Sequence, residues 1–311
     1  MTARPYSLVV SMVLALAVTL PPEPLFASPT PSSKRSQSDR DINAIGHREI
    51  VRGKDRSLYL PEKEKEVGAE LSAEVDRSAR LLHDPSVTAY LAALTQNIAG
   101  DSDAQMPIMV TVIDTDEVNA CTSPGGYQYI TRGLLLRLES EGELAGVLAH
   151  GIAYTALHLP TRAFLRANLM QPIAAPATKL SRNAMFTCTS PIPLPRLFNG
   201  MMQADELDAD YFGVQYLYKA GYDSDSYVDF VQRVWHANPS SGHLSDSLSP
   251  FPPVPQRIRE LRREIAEILP QRGEATVSTS AFEEFKEHLH SWQMLHPEPK
   301  LPILRRAKTD E

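Results

Sequence analysis

Two polar side chains stand one helical turn apart in an apolar stretch, "ELAGVLAHGIAYTALH" (143–158): His150 and Tyr154. Residues four apart share a helix face, so both groups can reach one ion. A hydrolytic zinc centre needs three protein ligands and an open position for water. Where two histidines take the i and i+4 places, the residue after the first is a glutamate acting as general base. Here the first place holds His150, the base place holds Gly151 and the second ligand place holds Tyr154. Glycine offers no side chain and costs a helix about 1 kcal/mol relative to Ala. A phenol has a reference pKa of about 10, so it ligates only if the ion deprotonates it. His158 cannot stand in for position 154, since eight residues of helix rise about 12 Å.

Further on, "ADELDADYFGVQYLYKAGYD" (204–223) sets Glu206 and Asp210 one turn apart. One reading makes the first a ligand and the second its orienting partner. The other is an acidic helix start, with Asp205, Glu206 and Asp208 favoured by the helix dipole. Spacing alone leaves both open. No Ser or Cys nucleophile is spaced beside a His in a way that suggests other hydrolytic chemistry.

These groups need helices to hold them. Apolar residues recur at helical spacing in 60–82 (Val67, Leu71, Val75, Ala79, Leu82), with Pro61 near the start. "DPSVTAYLAALTQNIAG" (84–100) opens on Asp-Pro and closes on Gly, which predicts a second helix. "PIMVTVID" (107–114) predicts a short strand, and 125–135 a strand turning into a helix. Helices are expected at 141–158, 204–220, 225–235, 255–268 and 281–293, with a short strand at 274–280. The proline-rich stretch 170–200 reads as a broken loop or short helices, or as a lid or membrane-touching segment. Helices around a few strands without regular alternation predict an α+β domain.

The chain has 311 residues, 42% hydrophobic and 22% charged, which suits a folded domain and not a disordered one. A formal net charge of −7 without a basic block argues against a nucleic-acid partner. Residues 1–27 read as a secretory signal: Arg4, an apolar run at 7–20, then a small-residue cleavage region ending at Ala27. An uncleaved membrane anchor is the other reading of that run. The export reading makes the protein periplasmic or secreted. Residues 28–57, rich in Ser, Pro and charge, are expected to be a linker. Cys121 and Cys188 either pair in an oxidising compartment or stay as two buried thiols.

The stretch "DEVNACTSPGGYQYITRGLLLRLESEGELAGVLAHGIAYTALH" (116–158) resembles metallopeptidase family forty-eight, which includes bacterial periplasmic quality-control proteases and CAAX prenyl endopeptidases. The matching residues are Asn119, Ala120, Pro124, Gly125, Gly126, Thr131, Gly133, Leu134, Leu135, Glu143, Leu144, Ala145, Gly146 and Val147. The family's second helix is matched by Glu206, Ala209 and Asp210, then Gly221, Tyr222 and Asp223. Its C-terminal motif is matched by Pro252, Arg257 and Ile258, with Phe251 where the family has His. The resemblance covers residues 58–270 and leaves 271–311 as a C-terminal extension.

It implies a zincin-like metallopeptidase domain, mostly helical, with a small sheet whose edge strand borders the cleft. It places that edge at Gly125, Gly126, Tyr127, Gln128, Tyr129 and Ile130, with "YQYIT" (127–131) as the strand. It makes His150 and Glu206 residual zinc ligands, Tyr154 the occupant of the lost ligand position, Gly151 the occupant of the base position, and Asp210 the orienting carboxylate. Two ligands make a poor zinc site, so zinc is expected to be absent or weakly held. The resulting expectation is an exported pseudopeptidase that binds extended polypeptide or envelope-protein partners along the edge strand. The alternative is an atypical active zinc metalloendopeptidase in periplasmic protein quality control, using His150, Glu206 and Tyr154.

Overall fold

The computed structural model describes residues 35–51, 60–169, 196–235 and 254–297. The secretory-signal reading, Phe251 and Pro252, and most of the stretch 170–200 lie outside them.

The helices are α1 (Gln37–Arg40), α2 (Pro61–Ser78), α3 (Pro85–Gly100), α4 (Arg132–Arg137), α5 (Glu141–Ala156), α6 (Leu159–Leu169), α7 (Arg196–Lys219), α8 (Ser224–Phe230), α9 (Val254–Ile268) and α10 (Ser280–Leu295). Their starts follow from local chemistry. Asp84 caps α3 by accepting from the N–H groups of Ser86 and Val87, and Pro85 takes the first helical place. Ser140 caps α5 through the Glu143 N–H, while Glu143 accepts in turn from the Glu139 N–H. Helix α7 begins at Arg196, so residues 196–200 belong to it rather than to the preceding loop.

Helix α5 is the axis of the core. Leu144, Leu148 and Ile152 are wholly buried, and so are Ala145, Ala149 and Ala153 on other sides. A helix apolar all round must be enclosed. Helix α7 packs along it at close range because Gly213 carries no side chain: a Cβ there would stand 3.0 Å from the Cα of His150. Helices α8 and α3 cover other flanks of α5.

Three strands form one sheet in the order β1 (Met109–Ile113), β3 (Tyr127–Thr131), β2 (Ala120–Ser123). β1 and β3 are parallel, and β2 runs antiparallel to β3 with Thr122 opposite Gln128. The fold is therefore α+β, as expected. The edge assignment is corrected, because "YQYIT" is the central strand, paired on both sides. Its main-chain groups are spent on β1 and β2, so it cannot accept another chain. Gly125 and Gly126 lie buried in the turn that leads into it, under α2. Among the described residues, β2 is the outer strand next to α5 and α6. "ACTS" is too short and too polar to show alternation in the sequence.

Two chain-end expectations also change. Within the expected linker 28–57, residues 37–40 and 42–44 are helical and Ile45 is buried in the main core. Within the expected extension 271–311, α10 contributes Phe282, Phe285 and Leu289 to that same core. Of the strand expected at 274–280, only a bridge between Thr276 and Tyr222 forms.

Candidate functional site

Four helices bring the polar residues together. Helix α5 supplies His150, Gly151 and Tyr154, α7 supplies Glu206 and Asp210, α8 supplies Tyr227, and α9 supplies Arg257. The 3.6-residue period puts His150 and Tyr154 on one face of α5 and both carboxylates on the facing side of α7. Nδ1 of His150 lies 3.0 Å from Oδ1 of Asp210, and its Nε2 lies 3.4 Å from Oε2 of Glu206. These are charge contacts whose lines do not have hydrogen-bond geometry. The Tyr154 hydroxyl donates to Oε1 of Glu206.

Asp210 is the most heavily partnered group. Arg257 donates to it from Nε (2.7 Å) and Nη2 (2.6 Å), a two-point pairing, and Tyr227 donates its hydroxyl at 3.0 Å. Arg257 is 2% exposed and also donates to the Tyr227 oxygen at 3.1 Å. Burial by itself would raise the Asp210 pKa, but Arg257 and His150 outweigh it and hold the carboxyl far below the usual range. Burial would lower the His150 pKa, and Asp210 with Glu206 overcome it and raise it. Burial, then the charge of Glu206, push the Tyr154 phenol well above its ordinary value. Burial also opposes ionisation of Glu206, but His150 and Arg257 hold its pKa down.

The base position has a tenant. A Cβ built on Gly151 would meet the Gln128 side chain, with Cδ and Nε2 at 2.8 Å and Oε1 at 3.0 Å. Gln128 reaches this place from β3, is 3% exposed, and leaves its Nε2 without a hydrogen-bond partner. Gln128 was singled out in the sequence as an edge residue, and its position over Gly151 comes only from the fold. Of the other expected edge residues, Ile130 joins the main core, while Tyr129 packs with Val75 and Ile113 in a separate cluster. Tyr127 lies against Gly125.

Two site residues escaped the sequence reading of the centre. Arg257 figured there only in the C-terminal motif, and Tyr227 did not figure at all. The available signal was Arg257, Leu261 and Glu264 at helical spacing, the buried stripe of α9. Charged residues on that stripe make it read as a solvated face.

The model of peptidase family M48 matches residues 85–265, more than half of the chain. This protein belongs to peptidase family M48. Similar curated proteins include the putative beta-barrel assembly-enhancing protease of Vibrio cholerae serotype O1, 31% identical over 168 residues, which are 50% of this chain and 34% of that protein. The beta-barrel assembly-enhancing protease of Yersinia pestis is 28% identical over 171 residues, covering 50% of this chain and 34% of the relative. That of Escherichia coli (strain K12) is 24% identical over 222 residues, 67% of this chain and 45% of the relative. The chain thus spans less than half the length of these relatives.

The M48 resemblance implies zinc, and the described side chains do not fit a catalytic zinc centre. His150 and Glu206 are two donors where three are needed. The third position carries a phenol that burial keeps protonated and that donates a hydrogen bond to Glu206. The position that the resemblance makes the base holds Gly151, and the Gln128 carboxamide beside it takes up no proton near neutral pH. Among the described residues, no group of three or more His, Cys, Asp or Glu is placed to hold a metal ion.

Proposed function

We propose that this M48 protein is an exported pseudopeptidase that holds extended polypeptide, drawn from envelope proteins, without cleaving it. The observation that carries the reading is the Tyr154 hydroxyl donating to Glu206, which engages one of the two remaining donors in a bond within the protein. A hydrolytic reading would also need a carboxylate at position 151, where the chain has Gly.

The outer place of β2 among the described residues supports the binding half of the proposal. The Thr131 N–H donates to the Asn119 carbonyl, so alternation along the antiparallel pair turns Cys121 and Ser123 toward β3. The main-chain groups of Ala120 and Thr122 then point away from the sheet, where an extended chain can add as a fourth strand. The relatives' printed name, beta-barrel assembly-enhancing protease, supports strand-rich envelope proteins as the class of partner.

A test uses a urea-unfolded outer-membrane β-barrel protein, fluorescently labelled and diluted into the full-length protein. Binding without cleavage is expected. Thr122→Pro removes an outward N–H while leaving the β3 pairing in place, and should abolish binding. Absence of binding by the wild type, or full binding by Thr122→Pro, overturns the proposal.

The proximity of His150, Glu206 and Asp210 favours a second reading, an atypical zinc endopeptidase. Chelator-sensitive cleavage of the same substrate would establish it.

A further inference from the structure

Gly151 lies in the interior of α5, where glycine is the least favourable residue after proline. The room it leaves is taken. A Cβ at 151 would stand 2.8 Å from Cδ and Nε2 of Gln128 and 3.0 Å from its Oε1. Carbon atoms rest in contact at about 3.5–4.0 Å, so residue 151 carries no side chain while the amide is there. A glutamate at 151 starts from the same Cβ and would run through the same space.

We propose that Gln128 fills the room of the missing base carboxylate and so closes the centre to hydrolysis at a further place, beyond positions 151 and 154. This deepens the non-cleaving reading of the centre and is independent of polypeptide binding.

The amide has nowhere to withdraw. Gln128 belongs to the central strand, opposite Val110 on one side and Thr122 on the other, so its main chain is fixed by both neighbours. It is 3% exposed, and the α5 residues around Gly151 are buried as well, Leu148 and Ile152 wholly and Thr155 nearly so. Size and not bonding suits the amide to this place, because Nε2 is buried with no hydrogen-bond partner among the described residues. The two residues depend on each other. Glycine at 151 lets a glutamine at 128 lie inside, and that glutamine excludes any larger residue at 151. At Gly213 the obstacle to a side chain is the main chain of His150, which no substitution removes. At Gly151 it is a single side chain, so one change at 128 lifts it.

Thermal melts of the full-length protein test the block in a double-mutant cycle. In the wild type, Gly151→Ala should bring no rise in melting temperature, because collision with Gln128 offsets alanine's helix preference. Beside Gln128→Ala the same change should raise it by about 2–4 °C. Gln128→Met keeps the bulk without the donor, so beside it Gly151→Ala should again bring no rise. Gly151→Glu should lower the melting temperature of the wild type and lower it clearly less beside Gln128→Ala. Far-ultraviolet circular dichroism checks folding, and where Gly151→Glu does not fold the alanine cycle decides. Equal shifts for Gly151→Ala in the wild type and beside Gln128→Ala overturn the inference. So does chelator-sensitive cleavage of unfolded polypeptide by Gly151→Glu with Tyr154→His while Gln128 is in place. Chelator-sensitive cleavage by the wild type overturns the non-cleaving reading instead, and the melts still decide whether Gln128 blocks position 151.

Discussion

Arg257 carries the permanent positive charge that Asp210 faces at two-point range, with Glu206 3.8 Å from its Nη1. Burying three charges is tolerable only because each has partners. The nearby Glu264 is less well served. It is 7% exposed with Oε2 unpartnered, and burial, followed by the charge of Asp210, raises its pKa to about 9. A carboxyl whose folded pKa exceeds its unfolded value adds stability that is complete below about 4.5 and is lost as pH rises through about 9. Glu264→Gln removes that dependence. Its stability relative to wild type should rise by ~1 kcal/mol per pH unit between pH 6 and 8, read by urea denaturation at each pH. A pH-independent difference would contradict the assigned environment. At this scale the sequence revealed His150, Glu206 and Asp210 because spacing and motif mark them. It could not reveal Gln128 over Gly151, since that contact joins a strand to a helix.

The elements are held in register by close approaches that a single atom would spoil. Helix α2 lies on the Pro124–Gly126 turn, and a Cβ at Gly68 would stand 2.2 Å from the Pro124 carbonyl oxygen. Backbone cannot yield as a side-chain tip can, so Gly68→Ala should cost about 1–3 kcal/mol despite alanine's helix preference. Gly100, at the end of α3, meets nothing within 4 Å, and Gly100→Ala should be neutral or mildly stabilising. Thermal melts of the two variants test the contrast, and equal melting temperatures would count against the α2 contact. Helix periods and caps made most of these elements legible, as with Asp84-Pro85 before α3. Strand order was not legible. β1, β2 and β3 are four or five residues each, and nothing in such short runs tells a central strand from an edge. The proposed polypeptide edge consequently moves from 127–131 to 120–123.

On the scale of the whole molecule, the segment before α2 ties distant parts together. Arg48, buried, donates to Asp103, to the side chain of Gln215 on α7 and to the Asp39 carbonyl. Asp103 also accepts from the Gly46 N–H and the Tyr216 hydroxyl. Arg48→Ala strands a buried carboxylate and should cost about 3–5 kcal/mol. Arg35→Ala breaks a partly exposed pair with Asp208 and should cost about 1 kcal/mol or less. Urea denaturation separates the two, and similar costs would show that Arg48 is not a clasp. Composition concealed this role, because a Ser- and charge-rich stretch looks like a linker until its buried Arg48 finds partners in two other segments, at Asp103 and at Gln215.

We propose that this M48 centre holds no catalytic zinc. Its most direct test is a zinc titration of the full-length protein at neutral pH, with metal content measured after dialysis and cleavage of unfolded substrate assayed with and without chelator. The account predicts no stoichiometric zinc and no chelator-sensitive cleavage in the wild type, and at least about tenfold tighter zinc binding in Tyr154→His, which restores a third nitrogen or oxygen donor and releases Glu206. One zinc per wild-type chain, accompanied by cleavage that the chelator abolishes, would contradict it.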